Sequence, residues 1–102
     1  MKFRGLLIFP IILIMGACSH RPPLLEYTLS REAVWAAQAS NASRWAPHIW
    51  VKAEDHFRKG ETSFRNYRYE EAKQHFLQAK QLSERAQVLS RIESAQSGEY
   101  EQ

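Results

Sequence analysis

The sequence predicts an all-α fold, either a small three-helix bundle or a helical hairpin with one added helix. Three observations predict it. Glycine and proline are scarce after residue 27, and no alternating strand pattern occurs there. Apolar and small residues instead recur three and four positions apart, which is the spacing of one helix face. The chain has 102 residues, a length that suits one small domain.

The first 17 residues have the layout of a secretory signal peptide, which precedes this fold. Lys2 and Arg4 form a basic start, and residues 6–15 are apolar apart from Pro10. The run is shorter than the roughly 20 residues of a membrane span, and Pro10 interrupts helical hydrogen bonding. We therefore expect a cleaved signal. An uncleaved anchor and a cytosolic core helix are the alternatives.

The only cysteine stands directly after this segment. Met15-Gly16-Ala17-Cys18 resembles the lipobox of bacterial lipoproteins, in which two small residues precede the acceptor cysteine. The resemblance implies cleavage before Cys18, a lipid on its thiol and an acyl chain on the new amine. A free or intermolecularly paired thiol is the alternative. Ser19 replaces the Asp that retains such proteins at the inner membrane, so the resemblance implies the periplasmic face of the outer membrane. The periplasmic face of the inner membrane is the alternative.

The predicted layout has four parts: a signal peptide over 1–17, a lipidated cysteine with a Pro-rich tether over 18–27, a helical domain over 28–98 and a polar tail over 99–102. Without the signal peptide the chain has 12 basic and 11 acidic residues. This near balance gives no support to a nucleic-acid surface.

The first predicted helical segment spans residues 28–45 and ends before Ala46-Pro47, because proline is favoured in the first turn of a helix and disfavoured inside one. Thr28 or Ser30 is expected to cap its start. A narrow stripe of small residues is expected to face the neighbouring helices: Leu29, Ala33, Ala36 and Ser40.

The second segment begins at Pro47 and has an aromatic face that comprises Trp50, Ala53, Phe57, Gly60, Phe64 and Tyr67. Gly60 on this face predicts a close approach of another helix, which offsets its low helix propensity. Asn66 is expected to end the segment in the left-handed conformation.

The third segment spans residues 67–98, with Gly98 as a stop. Its predicted core face comprises Ala72, Phe76, Ala79, Leu82, Ala86, Leu89 and Glu93. Only a short turn near residues 66–68 separates it from the second segment, so the two are expected to be antiparallel neighbours.

Residues 28–97 resemble an uncharacterised Ala-rich helical domain of Gram-negative lipoproteins, the domain of unknown function 4398. The residues that carry the resemblance are Ala33, Ala36, Ala37, Ala46-Pro47, Ala53, residues 66–72, Ala79 and Ala86. The resemblance implies a helical domain and a lipoprotein, but no reaction. This sequence departs from the pattern by carrying more aromatic residues.

A second resemblance is to a single tetratricopeptide-like hairpin. Gly60, Tyr69, Ala72, Phe76 and Ala79 have the relative spacing of that repeat. Ser63, Lys59 and Glu84 depart from it, and no second copy is visible, although stable arrays need about three repeats. A degenerate adaptor of this type is an alternative to shared hairpin packing.

The sequence contains no pattern that predicts catalysis. The four histidines, His20, His48, His56 and His75, lack metal-ligand spacing, and no nucleophile elbow or Gly-rich phosphate loop is present. His75 follows Glu71 by one helical turn, which predicts a surface pair. We expect no enzyme, metal, cofactor or small-molecule substrate.

A protein-interaction module is the function that we predict, with an envelope protein as the candidate partner and acyl chains on Cys18 as the membrane contact. Trp35 and Trp45 fall outside the apolar stripes, and Arg65 and Arg68 flank the aromatic turn. These four residues are the candidate partner surface. The alternatives are that both tryptophans cover the open side of the bundle, or that the protein is a spacer without a dedicated partner.

Overall fold

The computed structural model describes residues 21–98, and this part of the chain contains four helices. They are α1 (Leu24–Ala39), α2 (Ala42–Trp45), α3 (Pro47–Arg65) and α4 (Tyr69–Gln96). Within these residues there is no strand, so the predicted all-α class is confirmed. The predicted signal peptide with Gly16 and Ala17, the lipidation site Cys18 and the tail lie outside the described residues.

Helices α3 and α4 form the predicted antiparallel hairpin. The Arg68 N–H donates to the Ser63 carbonyl at 2.8 Å, and the Tyr67 N–H donates to the Phe64 carbonyl at 3.1 Å. These two bonds are those of a Schellman cap, which requires one left-handed residue two positions after the last helical one. Because α3 continues to Arg65, that residue is Tyr67, with φ at 61°. The prediction that Asn66 takes this conformation is wrong.

Small side chains allow α3 and α4 to approach closely. Ala53 and Gly60 on α3 and Ala72 and Ala79 on α4 are all buried. A Cβ atom at Gly60 would lie 2.6 Å from two ring carbons of Phe76. The predicted reason for a glycine at this position is therefore confirmed: the ring of Phe76 occupies the space that a side chain would need.

Helix α1 packs mainly against α4 and contacts α3 sparingly. Near its start, Tyr27 contacts Phe64 and Phe76 beside the α3–α4 turn. Near its end, Ala37 belongs to a cluster with Trp50 and Ala86. Helix α1 therefore runs parallel to α4, from the turn end of the bundle to the far end, which α2 covers.

The core differs between these two ends. At the turn end it consists of aromatic rings, those of Tyr27, Phe57, Phe64 and Phe76. At the far end, alanines surround a single large ring: the buried cluster comprises Ala37, Ala42, Ala46, Trp50 and Ala86. The large side chains needed to fill a core are thus concentrated where the chain enters the fold.

Helix α1 begins at Leu24, four residues before the predicted start, so the end of the predicted tether is helical. Neither Thr28 nor Ser30 caps it. The Thr28 hydroxyl donates to the Leu24 carbonyl at 2.9 Å, and the Ser30 hydroxyl donates to the Tyr27 carbonyl at 2.9 Å. Both side chains lie inside the helix, and Pro23 occupies the position before it, where a missing N–H costs nothing.

The predicted stripe of α1 is shifted from the observed one. Ser30 and Ala37 are buried, whereas Leu29 is exposed. The separate helix α2 was not predicted either; it follows Asn41, which has a left-handed φ of 58°.

On α4, four of the residues predicted to be in the core are buried: Ala72, Phe76, Ala79 and Ala86. Glu93, which was also predicted there, is exposed, and two serines, Ser83 and Ser90, are buried instead.

Candidate functional site

Three side chains form a ladder along one face of α1. Tyr27, Arg31 and Trp35 are four residues apart, so they lie one above another on the helix. The guanidinium carbon of Arg31 is 4.7 Å from the Trp35 ring centroid and 5.6 Å from that of Tyr27. Each separation is within the range of a cation–π interaction. We call these three residues the α1 ladder.

The ladder is anchored in the core at one end and exposed at the other. The Tyr27 ring centroid lies 5.4 Å from that of Phe76 and 6.0 Å from that of Phe57. The Trp35 side chain, in contrast, is 56% exposed. Among the described residues, the buried Nε atom of Arg31 has no hydrogen-bond partner. The rings therefore hold the guanidinium more than hydrogen bonds do, and they present Trp35 to solvent on a rigid helix.

A groove of about 320 Å³ lies beside the ladder at the turn end. Its lining is mainly apolar, with one acidic and one basic side chain: Leu24, Tyr27, Glu61, Phe64, Arg65 and Phe76. The groove exists because α1 packs on α4 and leaves a gap beside α3. Tyr27 of the ladder borders this groove, and Trp35 lies about 12 Å further along α1. An apolar groove and an exposed tryptophan are each features of protein-interaction surfaces.

The predicted surface residues Arg65 and Arg68 are both exposed at the α3–α4 turn. Arg65 is the last residue of α3 and makes a long hydrogen bond of 3.4 Å to the Thr62 hydroxyl. Arg68 lies 3.8 Å from the Glu71 carboxylate. Tyr67, between the two arginines, is 79% exposed. We call residues 65–68 the tip.

Trp45, the remaining predicted residue, is half-buried in α2 at the far end, where the Arg44 guanidinium lies 4.6 Å from its ring centroid. The length of α3, about 28 Å, separates it from Arg65. The four predicted residues therefore do not form one surface. Arg65 and Arg68 are together, Trp35 lies on α1, and Trp45 is at the opposite end.

Two histidines meet across the hairpin on the side away from α1. The Nδ1 atoms of His56 and His75 are 3.1 Å apart, and their ring centroids are 5.3 Å apart. One Nδ1 must donate and the other accept, so at least one ring is neutral. Partial burial, followed by the charge of His75, lowers the pKa of His56 below its usual 6.5. The predicted pairing of His75 with Glu71 is not observed, since Glu71 approaches Arg68 instead.

The described residues offer no larger set of metal ligands. Within residues 21–98, no three side chains of His, Cys, Asp or Glu converge on one point. Across the same residues, none of the helices has both the length and the apolar character that crossing a bilayer requires.

The sequence analysis missed Arg31 and the histidine pair, although both leave a signal. Arg31 stands midway between two aromatic residues at helical spacing. His56 lies ten residues before Asn66 and His75 lies nine after it, so a hairpin folded about Asn66 brings them opposite each other. Because the sequence also predicts the turn near residues 66–68, the second signal was available before the structure.

The sequence profile described as Domain of unknown function (DUF4398) matches residues 25–99. It spans nearly all of the helical domain, including the α1 ladder, the tip and both histidines. A search of curated proteins and a search of solved structures produced no match.

Proposed function

The chain belongs to the DUF4398 family, and we propose that it is a lipid-anchored envelope lipoprotein that faces the periplasm from the outer membrane. The basic, apolar and small-residue segments before Cys18 support the anchor. Ser19 after the cysteine supports the outer membrane. Several acyl chains on one residue give firm attachment, since each buried methylene contributes about 0.8 kcal/mol.

The domain acts in this proposal as a small protein-interaction module without catalysis. The observation that carries it is the α1 ladder, which holds Trp35 more than half exposed on a rigid helix. Tryptophan and arginine are enriched at the energetic centres of protein interfaces because they bury a large area with little loss of conformational entropy. A spacer would gain nothing from an exposed tryptophan fixed in this way.

Photo-cross-linking in cells tests the interaction. A benzophenone amino acid replaces Trp35 in the full chain, and the matched control replaces Val88, which is similarly exposed at 54% but lies on α4. We expect a discrete cross-linked envelope protein from position 35 and none from position 88. Adducts that are the same from both positions, or absent from both, would support the spacer and contradict the module.

The anchor is tested separately with Cys18→Ser. We expect the parent protein to fractionate with the outer membrane and to carry acyl chains on Cys18 by intact mass. The variant should retain its signal peptide or appear in the soluble periplasmic fraction. A parent protein with Met1 intact and a free thiol would overturn the anchor, whatever the cross-linking shows.

A further inference from the structure

The tip lies next to the point where the chain enters the fold. Arg21 and Pro22, the first described residues, share a cleft of about 570 Å³ with Tyr67 and Arg68. Only two residues separate Arg21 from Cys18, so the covalent path between them is at most about 11 Å. If the proposed lipid anchor holds, the tip is therefore close to the membrane surface.

The tip contains the side chains that such a surface favours. Arg65 and Arg68 flank Tyr67, and the tip itself contains no carboxylate. Tyrosine is enriched at the headgroup level of membranes, and arginine extends its charged end toward phosphates while its stem covers apolar groups. The three residues thus combine the two chemistries that an anionic lipid interface binds.

The backbone of the turn holds Tyr67 outward. Its left-handed φ of 61° is uncommon for a bulky residue, and two main-chain hydrogen bonds of the Schellman cap maintain it. The Tyr67 ring stands edge-on to that of Tyr69 at 6.2 Å, outside the aromatic core. A tyrosine fixed outward at the tip is a surface anchor rather than part of the core.

The neighbouring carboxylates leave the arginines available. Glu71 lies 3.8 Å from Arg68, and Glu26 lies 4.0 Å from Lys73. The Arg68–Glu71 pair is exposed on both sides, and such pairs contribute little to stability. Within residues 21–98, the side chain of Arg65 makes a single hydrogen bond, the 3.4 Å bond to the Thr62 hydroxyl. A phosphate group can therefore displace these partners at little cost.

We propose that the tip docks on the phosphate groups of anionic phospholipids, with Arg65 and Arg68 as phosphate ligands and Tyr67 at the headgroup level. This contact orients the bundle with the turn end at the bilayer and the far end about 28 Å further out. Trp35, about 12 Å further along α1 than Tyr27, then lies clear of the lipid. The proposal rests on the lipid anchor proposed above.

The test uses the full, acylated chain in vesicles of phosphatidylethanolamine and phosphatidylglycerol. Asn66→Cys places a fluorescent label at the tip, and Val88→Cys places it on α4 as the matched control. A nitroxide attached to the lipid headgroup quenches labels that lie near the surface. We expect strong quenching at position 66 and weak quenching at position 88.

Charge reversal then separates docking from mere proximity. R65E/R68E should reduce the quenching at position 66 to the level at position 88, because each arginine contributes about fivefold to partition onto an anionic surface. R85E/R91E, which makes the same charge change further along α4, should have no effect. R65Q/R68Q should have an intermediate effect, and circular dichroism shows whether each variant is folded.

Three results would overturn the proposal: equal quenching at positions 66 and 88, quenching that survives R65E/R68E, or equal quenching in vesicles of phosphatidylcholine alone. A contrast that appears only in native envelopes would assign the tip to a protein and also overturn it. If inorganic phosphate alone abolished the quenching at position 66, the tip would be a site for a free anion and not for a lipid. The anchor fails in a different way, since an unlipidated Cys18 would itself react with the label in the parent protein.

Discussion

His56 and Phe57 are neighbours on α3, and His75 and Phe76 are neighbours on α4, yet the two pairs have opposite surroundings. The phenylalanine rings, 5.8 Å apart, face α1 and contact Tyr27. The imidazole rings lie on the other side of the hairpin, where both are half-buried and His56 lines a groove to which α1 contributes no residue. The hairpin thus has a sealed face and an open face, one residue apart in sequence.

The difference shows that helix α1 decides which side chains of the α3–α4 hairpin are buried. Within the α3–α4 hairpin alone, the two pairs are equivalent, because each joins one residue of α3 to one residue of α4 across the interface between the helices. Helix α1 covers only one side, and there the pair is aromatic and Phe76 is fully buried. On the side without cover the pair is polar and exchanges a hydrogen bond. The sealed face contributes stability, and the open face can respond to the solvent.

The largest expected effect comes from truncating the sealed face. Phe76→Ala removes the largest fully buried side chain and leaves a cavity among Tyr27, Phe57 and Gly60. We expect a loss of about 3–5 kcal/mol in the free energy of unfolding, measured by urea denaturation. Val88→Ala is the matched control on the exposed side of α4 and should change it by less than about 0.5 kcal/mol. Similar losses for both would mean that the sealed face is not the core.

Adding a methyl group to the sealed face should also destabilise the domain. Gly60→Ala places a Cβ 2.6 Å from the Phe76 ring, which must move. Overpacking costs about 1–3 kcal/mol, whereas the better helix propensity of alanine returns about 1 kcal/mol. We expect a net loss in the free energy of unfolding, measured by urea denaturation.

The coupling between Gly60 and Phe76 gives the control for this substitution. In a Phe76→Leu background, the smaller side chain leaves room for the methyl group, so Gly60→Ala should cost less or stabilise the domain. A double-mutant cycle measures this difference. Additive effects would show that the ring does not limit the approach of the two helices.

The open face should make stability depend on pH. The folded pKa of His56 is below 6.5, so the unfolded chain binds more protons as the pH falls through this range. The stabilisation is therefore complete above pH 6.5 and is lost as the pH falls through the folded pKa. When His56 and His75 are both protonated, neither Nδ1 can accept, so the hydrogen bond between them is also lost. Urea denaturation between about pH 8 and pH 5 measures this change, which covers the range where histidine titrates.

Two variants identify the source of the pH dependence. His56→Gln should flatten the profile, because it removes the imidazole whose pKa is lowered in the folded protein. The charge of Lys59 lowers the pKa of His56 further, and the charge of Asp55 raises it. Lys59→Gln should therefore raise the folded pKa of His56 and move the loss of stability to higher pH. A profile that does not respond to His56→Gln would remove the pair as its cause.

The smallest effect on stability is expected at the ladder. Trp35→Ser removes an exposed ring and one cation–π contact, which is worth about 0.5–1 kcal/mol at an exposed site. The same substitution should abolish cross-linking from a probe placed at neighbouring Gln38. Thermal unfolding and cross-linking of this one variant therefore separate the contribution of Trp35 to stability from its contribution to partner binding. A loss of stability as large as that of Phe76→Ala would place Trp35 in the core.

Much of the fold could be predicted from the sequence. The periodicity of α3 and α4 is carried by large aromatic residues and by alanines, so their inner faces stand out from the charged residues around them. Gly60 indicated a close approach because a glycine inside a helix needs a compensating contact. The family match over residues 25–99 agrees with the resemblance seen in the Ala-rich segments and the turn.

The predictions for α1 failed because its sequence offers several nearly equivalent faces. Alanine and serine differ little in hydropathy, so the stripe containing Leu29 and Ala33 was as plausible as the observed one with Ser30 and Ala37. Serine can be buried there because its hydroxyl bonds to the carbonyl of the preceding turn, as Ser30 does. The surface prediction failed in part for a related reason, because exposure along the sequence does not show which exposed residues are neighbours.

The sequence by itself determined the helices of the hairpin, the position of its turn and the glycine at its seam. These are local properties, since propensity, spacing and caps act within a few residues along the chain. Only the tertiary structure decided which face of the hairpin is sealed, that Tyr27, Arg31 and Trp35 form a ladder, and that the tip lies beside the entry of the chain. Each of these depends on where α1 packs, and that choice is made by the fit of distant side chains.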